Sequence, residues 1–421
     1  MNRRTFLATI PAVTLASQLP AAEPGKIAVG AADWPWWRGP TRDGVAAPDQ
    51  KVPLEWAKDK NVLWEAAIPG RGHGSMSIVG DRVFLATADP DAEVQSVLCL
   101  DRKTGKQLWQ TEVHKGNFAK GGNGKSTHAS STPACDGEKV YINFLNGGAI
   151  HATALDLTGK KVWQTKVTDY VLHQGFGSSP TVFGPLLLVT ADNKGTGLLA
   201  GLDRATGKVV WSRKRPQAPN YASPIIVKVG DKEQLVLTGC DLVTSLDPLT
   251  GKENWEVKGS TTECVTSTVT DGKHVFVSGG YPKNHVAAFK LDGTGLAWEN
   301  KSRVYVPSML VRDGHLYAVT DDGNPMCWKS DTGAEMWKGK ERLAGTFTAS
   351  PVMVGDHIFA TNEAGRTFVF KATPKEFETV SENRLGDEAF ATPAVCGGHI
   401  FMRVAVKDKG RREERLYCIG K

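Results

Sequence analysis

Short apolar runs alternate with breaks rich in glycine, proline and asparagine along nearly the whole chain. The spacing of apolar residues is that of strands, with no helical periodicity between them. The clearest unit opens at Ser179-Pro180-Thr181-Val182, a short strand, and turns at Phe183-Gly184-Pro185. An apolar strand follows at 186–190, a Gly-containing loop at 193–197, and a third strand at 198–202. The turn 203–208 then leads into a fourth strand, 209–213, which carries Trp211. The unit predicts a four-stranded meander.

Its last turn is written several times. Asp203-Arg204-Ala205-Thr206-Gly207-Lys208-Val209-Val210-Trp211 has counterparts ending at Trp109, Trp163 and Trp255, each with Asp, Thr-Gly-Lys and Trp in the same order. A reduced copy, Thr332-Gly333…Trp337, keeps the Gly-to-Trp spacing, and a weaker one ends at Trp298. Recurrence at about 40–50 residues marks a repeat architecture. The Asp can accept hydrogen bonds from N–H groups two or three residues on, and the Gly supplies the positive φ of a tight turn. Trp then falls at a fixed register, where its ring can cover the seam with a neighbouring sheet. A four-stranded sheet with two apolar faces cannot bury both alone, so the units must stack around an axis. The expected fold is an all-β propeller.

The opening position recurs at Met76, Pro133, Pro180, Pro224, Thr268, Met309, Pro351 and Pro393, which gives eight blades. Closing strands with Trp follow the first six, the seventh has only a degenerate segment near Phe377, and the eighth runs out of chain after Ile419. The strand 61–65, with Trp64, precedes the first opening and is expected to complete the last blade, leaving no open edge. A seven-bladed ring stays open if the fifth or seventh unit is not a full sheet. The expected blade-docking residues are therefore Trp64, Trp109, Trp163, Trp211, Trp255, Trp298 and Trp337.

Composition adds the compartment. Residues 1–22 read as a twin-arginine-type signal peptide: Arg3-Arg4-Thr5-Phe6-Leu7, a short apolar run, then Pro20-Ala21-Ala22. Residues 23–60 form a Trp-, Pro- and Gly-rich arm and 61–421 the propeller. The mature chain is expected to be exported, periplasmic or extracytoplasmic, monomeric and without a membrane span. The net charge of +6 is spread without a one-signed face, so nucleic acid is not an expected partner. Seven cysteines leave one unpaired, no metal-ligand spacing occurs, and no spacing supports a bridge between Cys240 and Cys264. Cys99, Cys327 and Cys418 occupy a slot filled elsewhere by Ala154, Gly201, Ser245 and Ala288, as small buried residues would.

With the phrase at 154–163 nearly complete, the chain resembles the pyrroloquinoline-quinone-type (PQQ-like) repeat family. That family includes eight-bladed quinoprotein alcohol dehydrogenases and the non-enzymatic propeller lipoprotein of outer-membrane protein assembly. The segment 33–44, with Trp34, Trp36 and Trp37, also looks like the leader of exported planctomycete-type members. The resemblance implies that the repeated Trp docks between blades. Quinoprotein members carry an adjacent Cys pair and a catalytic Asp beside calcium-binding Glu and Asn. This sequence has no Cys-Cys, and no residue matches those acidic motifs.

In a propeller the loop preceding each innermost strand opens onto one face of the channel. The candidate ligand or partner surface is accordingly Arg71, His73, His128, His173, Gln174, Asn220, Tyr221, Glu263, Tyr305, Phe347 and Glu388, with Phe176 and Phe390 nearby. His73, His128 and His173 could in principle share a metal, but ordinary loop hydrogen bonding is the expected role, and no metal site is assigned. Residues 117–125 are glycine-rich but lack the spacing and following helix of a phosphate cradle, so a surface loop is expected. Trp34, Trp36 and Trp37 are expected to fold back and brace the ring. No catalytic residue is assigned. The functional expectation is an exported, non-enzymatic scaffold that binds a protein or extracytoplasmic polymer. The alternative is a PQQ- and calcium-dependent dehydrogenase of alcohols or sugars.

Overall fold

In the computed structural model of the protein, residues 27–421 are described, and the signal peptide expected over 1–22 lies outside them. Among the described residues, strands form eight separate four-stranded antiparallel sheets and no α-helix occurs. Together the sheets make an eight-bladed β-propeller. Seven blades run in simple chain order. The eighth joins Ala394–Cys396, His399–Asp408 and Arg411–Ile419 to the early strand Val62–Ile68, so both ends of the ring share one sheet.

The seven-bladed option falls away because both doubtful units are complete. The fifth has four strands ending in Leu296–Asn300, and the seventh ends in Thr379–Arg384, just beyond the expected segment near Phe377. That last strand escaped notice because Ser381 stands where other blades have Trp: Val369 pairs with Ser381 as Cys327 pairs with Trp337.

The repeated turn works as its letters imply. The Asp203 carboxylate accepts from the Thr206 N–H at 2.8 Å and the Thr206 hydroxyl at 2.7 Å. The same pair of bonds at Asp101 holds that exposed carboxyl below its usual range, the Thr104 hydroxyl being the larger cause. Gly207 has φ +72°, and a Cβ there would lie 2.6 Å from the Trp163 ring of the preceding blade. Seven of the eight seams repeat this arrangement: an indole lies over the next blade's turn and its Nε1 donates to a backbone carbonyl there. The seven distances, from Trp64 to Trp337, run from 2.7 to 3.2 Å.

The partner of each Trp across its own sheet must be small. Cys99, Ala154, Gly201, Ser245, Ala288, Cys327 and Cys418 pair with the seven Trp residues, and a Cβ on Gly201 would meet Trp211 at 2.4 Å. Three of the cysteines are therefore space-limited core residues. All seven are buried free thiols.

The arm folds back, as expected for its tryptophans, across the end of the ring that carries the first-to-second strand turns. Trp34, 1% exposed, exchanges two 2.8 Å backbone bonds with Ile78 of the first blade. Arg42 lies over the Trp36 ring and donates to the Val182 carbonyl of the third blade at 2.7 Å. Buried Arg38 donates to the Met309 carbonyl of the sixth at 2.6 Å, and its burial pushes the guanidinium pKa down to about 10. Ala46 bonds Met353 of the seventh at 2.8 Å, and Gln50 accepts from the Gly398 N–H of the eighth at 2.8 Å. These contacts spread over the ring fix the arm as a stopper at one end of the channel.

Candidate functional site at the channel mouth

The channel wall is set by the residue just before each opening position. Ser75, Thr132, Ser179, Ser223, Ser267, Ser308, Ser350 and Thr392 are all hydroxyl residues and nearly fully buried or channel-facing. The Ser75 N–H donates to the Thr132 hydroxyl at 3.0 Å, Thr132 N–H to Ser179 at 3.0 Å, and Ser179 N–H to Ser223 at 2.9 Å. Ser267, Ser308 and Ser350 continue it onto Ser308, Ser350 and Thr392 at 2.9–3.0 Å. Side chains thus satisfy backbone donors where adjacent innermost strands do not pair with one another. The Ser267 hydroxyl accepts from Trp37 Nε1 of the arm at 2.8 Å, which puts that indole among the channel-lining groups.

The opposite end is the mouth, and the candidates divide there into two groups. On one side His173 Nε2 lies 3.2 Å from Glu263 Oε1, and its Nδ1 lies 3.0 Å from Lys194 Nζ. The second Glu263 oxygen accepts from the Tyr305 hydroxyl at 3.3 Å, and Arg303 lies over the Tyr305 ring. The Tyr221 hydroxyl accepts from the Gln174 N–H at 3.3 Å. Burial, with the Glu263 charge second, raises the Tyr221 and Tyr305 phenols, so both remain protonated donors in the ordinary pH range. Residues from four loops converge here: His173 and Gln174, Tyr221, Glu263, and Tyr305.

On the other side His73 stacks on Phe390, ring centroids 4.2 Å apart at 18°. Burial first, then the charges of Arg71, Arg403 and Arg412, push its pKa down to about 2, so the imidazole is neutral. Glu388 pairs with Arg412 Nε at 2.8 Å. His128 packs against Phe118, ring centroids 4.1 Å apart and tilted by 33°, and burial also lowers its pKa. The three histidines therefore have three separate sets of partners. Among the described residues no group of three or more His, Cys, Asp or Glu side chains is placed to hold a metal.

Two candidates leave the mouth surface. Phe347 is 1% exposed and packs on Phe368 in the core, because the loop before the seventh blade turns its ring inward. Asn220 is 5% exposed and ties a buried cluster, donating to Asp192 at 3.0 Å and accepting from the Cys264 N–H at 3.0 Å. Counting back from the opening position locates a loop but not the direction of each side chain.

The sequence reading passed over residues that shape the mouth more than these. The loop 117–126 lies along the mouth as a strap. Its Asn123 N–H donates to the Gln174 carbonyl at 2.8 Å, and Gly175 approaches Ser126 so closely that a Cβ would lie 2.2 Å from its hydroxyl. Lys125 then reaches Glu363 of the seventh blade, its Nζ 2.8 and 2.7 Å from the two oxygens, and Thr348 also donates to Glu363. The hydroxyl belt was visible only as the letter before each opening. Its signal was the unbroken recurrence of Ser or Thr there.

The fold and mouth define a closed repeat propeller stoppered at one end by its own arm and open, beneath a strap, at the other. The PQQ-type repeat family described as outer membrane protein assembly factor BamB matches residues 49–170 and 93–339, and the chain belongs to this family. It is 26% identical over 276 residues to the outer membrane protein assembly factor BamB of Yersinia pestis, covering 61% of this chain and 64% of that one. It is 30% identical over 187 residues to the quinoprotein ethanol dehydrogenase of Pseudomonas putida, covering 38% of this chain and 27% of that one. The chain thus spans less than two thirds of the length of either relative. A europium-containing methanol dehydrogenase has the same fold, with TM-score 0.68 at 12% identity, covering 93% of this chain and 98% of that one.

Proposed function

We propose that the protein is an exported, non-enzymatic propeller that binds a protein or extracytoplasmic polymer through the strap-bearing face. The observation that carries this reading is the one-sidedness of the ring. The arm occupies one end, and the other presents aromatic and polar groups from several blades around a rigid rim, as a recognition surface does. Relatives named as assembly factors support it. Among the described residues no helix is long and apolar enough to cross a membrane, and export itself is part of the proposal.

A quinone held beside calcium would need an acidic donor set and, in the related dehydrogenases, a Cys pair. Here Glu263, Glu363 and Glu388 are each engaged by His173 and Tyr305, by Lys125, and by Arg412, and no two cysteines are adjacent. These residues do not fit that group, and no step is assigned through it. The test has two arms. Full-length protein should capture its partner from the exported fraction, and a Tyr221→Ala/Tyr305→Ala double variant should lose it. Incubation with quinone and calcium should leave no stoichiometric chromophore and no alcohol- or sugar-dependent dye reduction. Finding both would replace the scaffold reading with the dehydrogenase one.

A further inference from the structure

In each blade the fourth strand rises from the repeated turn towards the mouth, and the third residue beyond the docking position falls at its mouth end. Lys166, Lys214 and Lys258 hold that place in the second to fourth blades, Lys301 and Lys340 in the fifth and sixth, and Arg384 in the seventh. The register is shared: Lys166 pairs with His151, Lys214 with Leu198, Lys258 with Leu242 and Arg384 with Arg366, each three places from the partner of Trp163, Trp211, Trp255 or Ser381. Glu112 and Ala67 fill the place in the first and eighth blades, so the fold does not demand a cation there. The ring thus gathers into one arc charges that lie far apart along the chain.

The charges of this arc are largely unspent. All six side chains are exposed, and those of Lys214, Lys258, Lys301 and Lys340 make no ion pair or hydrogen bond among the described residues. At the flanks Lys166 lies 2.7 Å from Asp169, and Arg384 lies 3.5 Å from Asp387. Acids on neighbouring segments are engaged elsewhere: Glu253 and Glu256 with Arg213, Glu382 with Arg366, and Asp241 with the Thr262 hydroxyl at 2.9 and 3.0 Å. Glu341, exposed beside Lys340, makes that end of the row the weaker.

Spacing selects the size of the ligand. An outermost strand lies three strand spacings, about 14 Å, outside the innermost, so lysines on successive blades of an eight-membered ring are more than about 10 Å apart. That exceeds the Debye length of about 8 Å at physiological salt, so the lysines barely repel one another. A compact anion meets one of them, and one exposed ion pair contributes little. A long chain with regular charges meets all of them, each further contact being intramolecular. Lysines are point charges without the planar fork of arginine, and the same contact recurs on each blade, as suits a polymer of repeated units. Tyr281, 54% exposed on the mouth turn of the fifth blade, adds a flat ring face at the same end.

We propose that this arc binds a linear acidic polysaccharide, carboxylated or sulfated, laid along the outer shoulder of the mouth. The proposal rests on the reading of that face as the binding face and names the chemistry of the polymer it takes.

Full-length protein is titrated at low salt with polygalacturonate, with dextran sulfate and with neutral dextran. The acidic polymers should bind and dextran should not, and the tighter of the two at matched charge names the carboxylated or the sulfated source. Monomeric galacturonate, which meets a single lysine, should not compete at equal charge. A Lys214→Gln/Lys258→Gln/Lys301→Gln/Lys340→Gln variant should bind about tenfold or more weakly. The control Lys106→Gln/Lys160→Gln/Lys208→Gln/Lys252→Gln removes as many exposed lysines from the repeated turns at the arm's end of the ring and should bind like the parent. Both variants change exposed side chains alone, so unfolding midpoints matching the parent's tie lost binding to the arc. Equal losses in the two variants, or unchanged affinity in the first, would overturn the proposal. So would tighter binding of poly-glutamate at matched charge, which assigns the arc to acidic proteins, or binding to anionic lipid vesicles alone, which assigns it to membranes. Tyr221 and Tyr305 are untouched here, so failure of this test leaves capture through the open mouth to its own.

Discussion

Trp56 stacks on Phe359 of the seventh blade, ring centroids 6.2 Å apart at 14°. Phe359 occupies the register held by Phe84, Tyr141, Phe276, Tyr317 and Phe401, and each of those meets its own blade's docking Trp at 6.0–6.2 Å. The seventh blade has no such Trp, and the arm delivers one. The reason lies in the eighth blade, whose last two strands are joined by no turn: Gly420 and Asn61 bond across the gap at 3.0 Å. An indole projecting from Ser381 would find no turn carbonyl to meet. The arm is held there instead, Trp56 N–H donating to Asn383 at 2.8 Å and the Leu54 carbonyl accepting from Asn383 at 3.0 Å.

Trp56→Ala should consequently behave as a docking mutation. With Trp56 4% exposed, the expected loss is on the order of 3–5 kcal/mol, close to that of Trp163→Ala. Denaturant unfolding of the two variants side by side checks it. A Trp56 variant that unfolds like the parent would mean the arm merely rests on the ring.

Gly207→Ala should cost more than Gly80→Ala. Both glycines have positive φ, +72° and +55°, so each substitution carries a backbone penalty of roughly 1–2 kcal/mol. A methyl at 207 would also strike Trp163, whereas nothing lies within 4 Å of one at 80. Equal midpoints in thermal melts would contradict the seam geometry.

His73 should make the protein acid-sensitive. An unfolded imidazole takes its proton near pH 6.5, while the folded one resists to about 2. Stability from this site is full above about pH 6.5 and declines as pH falls, by up to about 1.4 kcal/mol per pH unit. His73→Phe keeps a stack on Phe390 and removes the proton. Its unfolding free energy should fall less steeply between pH 6 and pH 4 than the parent's, and parallel curves would refute the assignment.

The strap should loosen in salt. The Lys125–Glu363 pair is partly exposed, so it contributes no more than about 1 kcal/mol and is screened as ionic strength rises. Hydrogen exchange in residues 117–126 should quicken in high salt and in Lys125→Ala, with little change in global melting. Unchanged exchange would show that the Asn123–Gln174 contact alone holds the strap.

The ring was legible because it repeats. Asp203, Gly207 and Trp211 recur at one spacing, and eight opening positions counted the blades, even the one completed by Trp64. What broke the period was hidden for the same reason. Trp56 replaces a missing indole from outside the repeat, and Ser381 concealed a complete strand by lacking the expected ring. At the mouth, loop position could be counted but direction could not. Tyr305 and His173 reach Glu263, while Phe347 turns into the core.

The pairing of Val62–Ile68 with Arg411–Ile419 also has a consequence for biogenesis. Those segments leave the ribosome first and last among the strands, so a nascent chain can assemble at most a crescent of seven sheets. Its two raw ends expose unpaired strand edges, the kind that recruit stray chains. Closure comes last in chain order, and it removes both raw edges at once.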